Sequence, residues 1–124
     1  MVHRSTLPLA SDETLLFLHI PKTAGTTLNA LLDEQFTPSE GRELASWTDL
    51  PKYSIDYSPY RFLRGHVFFD IWKALPRRLR YMTLLRDPIE RTLSNFEMMR
   101  RSTNDPWHHV VREMSIADFI SHPL

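Results

Sequence analysis

The chain has 124 residues, the size of one ordinary globular domain; 42% of them are hydrophobic and 24% are charged. That balance excludes a disordered chain. Fifteen Lys and Arg side chains against fifteen Asp and Glu leave no net charge, which argues against a general nucleic-acid binder. Because the chain has no cysteine, a disulfide framework, a thiolate zinc site and a cysteine nucleophile are all excluded.

Targeting signals are not visible in the sequence. The longest apolar run, residues 15–20, is far shorter than the ~20 residues that a membrane helix needs. The N-terminal residues lack the apolar stretch and small-residue cleavage site of a signal peptide. We therefore expect a cytoplasmic protein with no transmembrane segment.

Overall neutrality conceals a basic segment. Residues 73–112 contain nine basic and four acidic side chains. This bias indicates either a solvated helix face, which we favour for Arg100 and Arg101, or a localised site for an anionic ligand.

The first half of the chain predicts one strand and one helix after a loose leader, residues 1–13. Residues 15–20 form a continuous apolar run that Pro21 ends, which is typical of a parallel strand covered on both faces. After a loop, residues 26–36 have the spacing of an amphipathic helix, with Thr26 as its N-cap. Residues 37–60 lack periodicity and predict an irregular connection with room for one short helix.

The second half of the chain predicts two more strands, residues 62–66 and 80–85, with an amphipathic helix over residues 67–75 between them. Pro88 suits the first position of a helix that runs to about residue 101 and buries Ile89, Leu93 and Phe96. Two short helices, residues 108–114 and 115–120, follow, the second capped by Ser115.

This order of elements predicts an α/β fold, in which a parallel sheet and its flanking helices form three layers. Ligands of such sheets bind at the carboxyl ends of the strands, near the point where the strand order reverses. Two polar loops, residues 21–27 and 86–88, follow predicted strands and are therefore the candidate ligand loops.

The first candidate loop combines a lysine, a glycine and three threonines where a strand passes into a helix. Free amides at a helix N-terminus favour anions, Gly25 permits close approach, and Lys22 adds a mobile charge. The alternative is an ordinary strand-to-helix turn. The spacing differs from the common nucleotide loop G-x-x-x-x-G-K-[ST], because Lys22 precedes the glycine here.

The second candidate segment places Arg86 at the end of a strand and Ser94 two turns into the following helix. The planar guanidinium of Arg86 suits a phosphate group. The alternative for Arg86 is a structural ion pair with Asp87 or Glu90, and the alternative for Ser94 is a small helix residue.

Taken together, the segments His-Ile-Pro-Lys-Thr-Ala-Gly-Thr-Thr and Arg-Asp-Pro-x-Glu-Arg-x-x-Ser resemble the donor-binding motifs of sulfotransferases. The first segment is similar to the carbohydrate-type branch, which includes heparan 2-O-sulfotransferase relatives and many bacterial sulfotransferases. The resemblance implies a fold like that of the P-loop NTPases. It covers only the N-terminal part of the family's domain, so residues 14–124 are expected to form an N-terminal portion of it and an incomplete sheet.

The resemblance also implies a donor, 3′-phosphoadenosine 5′-phosphosulfate (PAPS), and no metal. The residues implied to hold its 5′-phosphosulfate are Lys22, Thr23, Ala24, Gly25, Thr26 and Thr27, and those implied to hold its 3′-phosphate are Arg86 and Ser94. Lys22 is also implied to act in catalysis. The acceptor is expected to be a hydroxyl group of a carbohydrate or small molecule.

His66 lies between the two donor segments, where the resemblance implies the acceptor site and a candidate general base. A capping or buried histidine is an equally good interpretation. Asp70, four residues later, could orient His66 on a helical turn. His19 lies inside the first predicted strand, which favours a core role, and the adjacent His108 and His109 have no metal-ligand spacing.

Two other functions remain open on the sequence. A nucleotide kinase or NTPase shares the strand–loop–helix anion site, and an inactive remnant would bind nucleotide without transfer. We expect no nucleic-acid partner. An incomplete sheet leaves an exposed edge, through which the chain could self-associate.

Overall fold

The computed structural model describes residues 9–44, 56–75 and 77–122. The chain divides into two compact units. Within the described residues, the first unit contains residues 9–20 and 24–84, and the second contains residues 21–23 and 85–122.

The first unit is built on a parallel sheet of four strands: β1 (Glu13–Leu18), β2 (Gly41–Glu43), β3 (Phe62–Gly65) and β4 (Arg78–Thr83). Their order across the sheet is β2-β3-β1-β4, and every pair is parallel. The chain leaves the central strand β1 toward one side and returns to pair β4 on the other. The strand order therefore reverses at β1, where parallel sheets bind ligands beyond the carboxyl ends. The predicted parallel α/β arrangement with flanking helices is confirmed.

Strand β1 is buried on both of its faces, as its continuous apolar sequence predicts. Leu16 and Phe17 point to opposite faces because side chains alternate along a strand, and both are fully buried. Leu16 joins an apolar cluster with Leu63 and Ile71. On the other face, the fully buried Phe62 stacks on Phe36, with 5.0 Å between ring centroids.

Helix α1 spans Gly25–Asp33, so the predicted boundaries, residues 26–36, were too late at both ends. The residue before the helix is Ala24 in the left-handed region, and the prediction of Thr26 as the N-cap was wrong. At the other end, Phe36 lies beyond the helix, where it stacks on Phe62.

The segment predicted as an amphipathic helix over residues 67–75 forms a 3-10 helix, Phe69–Ala74. Side chains three residues apart are eclipsed in a 3-10 helix, which places Phe69 and Trp72 together, and both are exposed. Ile71 and Leu75 provide the buried contacts instead. The Tyr81 hydroxyl fixes the first turn by donating to the Phe69 carbonyl at 2.9 Å.

Strands β2 and β4 differ from the prediction. The short polar strand β2 lies in a segment predicted to be irregular, since three residues carry no detectable periodicity. Strand β4 begins two residues earlier than predicted, because Arg78 pairs in register with Glu13 at the start of β1.

The second unit contains helices α2 (Pro88–Arg101), α3 (His108–Val111) and α4 (Ile116–Ser121). Pro88 begins α2 as predicted, and Ser115 caps α4 in a capping box with Asp118. The predicted buried face of α2 is only partly correct. Phe96 is buried and packs on Phe119 of α4, with 5.1 Å between ring centroids, whereas the prediction for Ile89 and Leu93 was wrong.

Ile89 and Leu93 are 69% and 41% exposed. Both residues precede Phe96, which packs on Phe119 of α4. Together with Ile120 of α4 they line an open cavity of about 250 Å³. Across the described ranges, none of the helices has the length and apolarity that a bilayer crossing requires.

Replacing Gly65 by alanine should destabilise the first unit. A Cβ atom at this position would lie 2.9 Å from the Leu44 carbonyl oxygen, and the Leu44 amide is already bonded to the Arg64 carbonyl at 2.7 Å. The backbone must therefore shift, which we expect to cost about 1–3 kcal/mol in urea unfolding. Gly41→Ala is the matched control, since its Cβ would meet Phe62 at an ordinary 3.6 Å. Equal losses in both variants would contradict this packing.

Glu13 should contribute to stability above about pH 4.5 and lose that contribution in acid. The Ala10 amide and the Arg80 guanidinium donate to its carboxylate at 3.0 and 2.6 Å, and they hold the pKa of Glu13 below its ordinary 4.5. A lowered pKa in the folded state means that protonation opposes folding, so stability falls as the pH drops through that pKa. In Glu13→Gln, thermal melting should depend less on pH below about 4.5 than in the wild type. The exposed Glu113→Gln is the control, and identical pH profiles in Glu13→Gln and the wild type would contradict the assignment.

Candidate functional site

The loop that follows β1 has an unusual backbone. Lys22 and Ala24 have φ angles of 69° and 64°, in the left-handed region that favours glycine. Strained residues of this kind concentrate at functional sites, and left-handed turns point successive amides toward one concavity that accepts anions. Lys22 is half-buried, and Thr23 beside it is 5% exposed.

Helix α1 begins with open amides. The amides of Gly25, Thr26 and Thr27 precede the first intrahelical bond, which Leu28 donates to the Ala24 carbonyl at 3.4 Å. Within the described part of the chain, no side chain caps this end of α1. Helix α2 differs, because the Asp87 carboxylate accepts from its first amides at 3.0 Å. The N-terminus of α1 therefore keeps the positive partial charge that binds an anion.

Gly25 lies directly against the ring of His19. A Cβ atom on Gly25 would lie 2.1 Å from the His19 imidazole, so any larger residue here would force that ring to move. The ring also stacks on Phe17, with 5.4 Å between centroids. The prediction of a core role for His19 thus holds for its packing, although the side chain is only half-buried. Burial lowers the pKa of His19 and favours its neutral form.

His66 follows the last residue of β3, and its side chain is exposed. Its Nδ1 lies 2.5 Å from the His19 carbonyl oxygen. Asp70 does not take the orienting role considered for it, since its carboxylate lies 3.5 Å from Lys73 Nζ. One ring nitrogen of His66, Nδ1, is therefore hydrogen-bonded to the backbone.

In the second unit, two arginines contact the first residues of the loop that was predicted over residues 21–27. Arg86 Nη1 donates to the Lys22 carbonyl at 3.4 Å, across 64 residues of sequence. Arg91 Nε donates to the Pro21 carbonyl at 3.0 Å. Arg86 also pairs with Glu90 at 3.2 Å, the ion pair that the alternative interpretation predicted.

Ser94 lies on the face of α2 that contacts this loop. At about 100° per residue, its position falls between Glu90 and Arg91 around the helix axis. Ser94 is half-buried, and its hydroxyl makes no hydrogen bond with another described residue. It is therefore available to a ligand that contacts Arg86.

Each unit thus holds a separate part of the predicted site. The first unit contains Ala24, Gly25, Thr26, Thr27 and His66, and the second contains Lys22, Thr23, Arg86 and Ser94. Sequence reasoning missed the contact of Arg91 with the loop, although Arg91 belongs to the quoted second motif. It also missed the contact of His19 with His66, which no sequence spacing could indicate. Within the described ranges, His, Asp and Glu form no group of three that could hold a metal ion.

Comparison with known proteins gives one partial similarity. No family model matches the chain, and no solved structure matches it at a significant level. A protein-tyrosine sulfotransferase of Arabidopsis thaliana is 33% identical over 87 residues, which cover 68% of this chain and 17% of the relative. The match therefore spans about a sixth of that relative's length. It supports a sulfotransferase relationship.

Proposed function

We propose that this chain carries the donor-binding portion of a sulfotransferase that transfers a sulfuryl group from PAPS to an acceptor hydroxyl. The observation that carries the proposal is the pair of hydrogen bonds from Arg86 and Arg91 to the carbonyls of Lys22 and Pro21. These bonds lie within the second unit and connect the second motif with Pro21 and Lys22 of the first, and the two motifs resemble the 3′- and 5′-phosphate sites of one donor. The partial similarity to a sulfotransferase supports the sulfotransferase part of this proposal.

The ion pair of Arg86 with Glu90 does not oppose phosphate binding. The two side chains are 39% and 62% exposed, and an exposed pair of this kind contributes only about 0–1 kcal/mol. A hydrogen bond to a charged group contributes about 1.5–3 kcal/mol, so a phosphate competes successfully with Glu90. The Lys22 carbonyl meanwhile keeps the guanidinium beside the loop.

The proposed roles follow from the chemistry of each group. The amides of residues 23–27 hold the 5′-phosphosulfate, and Lys22 stabilises the charge that develops on the leaving phosphate oxygen. Arg86 and Ser94 hold the 3′-phosphate and so select PAPS over ATP. We propose that the sheet and its phosphate loop together form a fold like that of the P-loop NTPases.

The transfer step needs a base and no change in oxidation state. His66 takes the proton of the acceptor hydroxyl, and the acceptor oxygen forms a bond to sulfur. The bond between sulfur and the 5′-phosphate oxygen breaks, which releases 3′-phosphoadenosine 5′-phosphate and the sulfated acceptor. The acceptor is a hydroxyl of a carbohydrate or small molecule. Assays with a saccharide, a simple phenol and a tyrosine-containing peptide separate these acceptors from the tyrosine in the relative's name.

Donor binding should depend on the 3′-phosphate. At 100 times its dissociation constant, 3′-phosphoadenosine 5′-phosphate should stabilise the chain by about 2.7 kcal/mol in a thermal-shift titration. AMP, which lacks the 3′-phosphate, should bind at least tenfold more weakly, since a lost charge-assisted contact costs about 1.5–3 kcal/mol. Preferential binding of ATP with magnesium would instead favour the nucleotide kinase.

Arg86→Lys should reduce that selectivity. A lysine keeps the charge but loses the planar fork, so affinity for 3′-phosphoadenosine 5′-phosphate should fall about tenfold while affinity for AMP stays unchanged. Arg100→Lys is the matched control, because Arg100 lies in the last turn of α2, where it pairs with Glu97 at 3.8 Å and its guanidinium lies 5.2 Å from the Phe96 ring centroid. Titration calorimetry that gives equal losses for both nucleotides would remove Arg86 from the 3′-phosphate site.

Lys22→Ala and His66→Ala should slow transfer for different reasons. Loss of the Lys22 charge should lower kcat by about a hundredfold, and loss of the base should lower it by about 10²–10⁴. His66→Ala should leave the affinity for 3′-phosphoadenosine 5′-phosphate unchanged. A wild-type chain that binds this nucleotide but transfers no sulfate to any acceptor would identify an inactive remnant.

A further inference from the structure

A side chain forms the hydrogen bond that follows the last backbone pairing of β1 with β3. The His19 amide donates to the Gly65 carbonyl at 3.0 Å, which is the last bond of the parallel ladder. In a parallel ladder, the amide and the carbonyl of one residue bond two different residues of the neighbouring strand. The His19 amide bonds Gly65, so its carbonyl faces the residues that follow Gly65. His66 Nδ1 lies 2.5 Å from that carbonyl and occupies the place of the next ladder donor.

This contact determines which nitrogen of His66 carries the proton. A carbonyl oxygen only accepts hydrogen bonds, so Nδ1 must be the donor. In the neutral imidazole the other nitrogen, Nε2, then holds the lone pair. The backbone of His19 thus selects the form of His66 in which Nε2 can accept a proton.

The ring of His19 restricts the ring of His66. The two ring centroids are 4.5 Å apart, with 31° between the planes. The His19 ring is itself held by the stack on fully buried Phe17 and by the close approach of Gly25. An exposed imidazole that would otherwise rotate freely therefore rests against a fixed surface.

We propose that His19 is a positioning residue for His66: its carbonyl fixes the Nδ1-protonated tautomer, and its ring fixes the plane of the imidazole. The catalytic consequence rests on the proposed function, whereas the tautomer itself does not. His19, the first residue after β1, thus orients His66, the first residue after β3.

The first test is the tautomer of His66 in the wild-type chain. Long-range proton–nitrogen NMR spectra of ¹⁵N-histidine-labelled protein, recorded at about pH 8.5 where imidazoles are neutral, distinguish the two forms. The inference predicts a protonated Nδ1 and an unprotonated Nε2 for His66. The Nε2-protonated form, or the averaged mixture of a free histidine, would overturn it. The His66 signal is assigned by its loss in His66→Ala.

The second test separates the ring from the carbonyl. His19→Ala keeps the carbonyl but removes the stacking surface that holds the His66 ring in the plane where Nδ1 meets this carbonyl. The hydrogen bond should then form only part of the time, so the His66 tautomers should shift toward the free-histidine mixture. His19→Phe keeps an aromatic surface and should retain the Nδ1-protonated form. Exposed His109→Ala should change nothing. An unchanged tautomer in folded His19→Ala would overturn the role of the ring, and if that variant does not fold, the wild-type spectrum still decides the role of the carbonyl.

Kinetics then connect the tautomer with transfer. A misplaced base lowers turnover without changing donor binding, so His19→Ala should lower kcat about tenfold to a hundredfold and leave the donor KM unchanged. His19→Phe should restore most of that loss. Equal changes in kcat and KM would mark a general structural effect and contradict positioning. A wild-type chain with the predicted tautomer and no transfer would count against the proposed function and leave the tautomer assignment standing.

Discussion

Two backbone carbonyls, those of Pro21 and Lys22, hold the start of helix α2 within the second unit. Arg91 and Arg86 donate to them at 3.0 and 3.4 Å, from positions 70 and 64 residues away in sequence. Since both arginines flank the start of α2, the beginning of that helix is fixed to a short piece of loop that leaves β1. Two arginines of the basic segment, residues 73–112, therefore have specific backbone partners, which composition alone does not indicate.

The helices differ in how their first amides are satisfied. Asp87 caps α2 and Ser115 caps α4, each with its own side chain, whereas the four-residue α3 begins without a side-chain cap from the described residues. Helix α1 begins instead from left-handed Ala24, and within the described residues its first amides receive no side-chain cap. Under the proposed function, a phosphate group of the donor would supply the acceptors that these first amides lack.

The sequence predicts three of the four described strands, because their apolar runs are strong local signals. Their bounds depend on pairing: β1 spans Glu13–Leu18 and not residues 15–20, since Glu13 and Thr14 pair with Arg78 and Leu79 of β4. The proline at the start of α2 was a sufficient local signal for that helix. The exposed Ile89 and the 3-10 helix at Phe69–Ala74 were not predictable in this way, since apolar spacing indicates which residues share a face but not what covers that face.

For the candidate site as well, the sequence indicates which residues belong to it but not how they contact one another. The order and spacing of the motifs pointed to Lys22, Arg86 and Ser94, and the contact of Arg86 with the Lys22 carbonyl supports that grouping. The fit of the His19 ring against Gly25 and the bond from His66 to the His19 carbonyl depend on strands brought together by folding. No pattern within either segment encodes them.

The most direct measurement is a crystal structure of the chain with 3′-phosphoadenosine 5′-phosphate. The account predicts hydrogen bonds from Arg86 and Ser94 to the 3′-phosphate, and from the amides of residues 23–27 to the 5′-phosphate. A nucleotide bound away from these residues, or bound with its 5′-phosphate on Arg86, would contradict it.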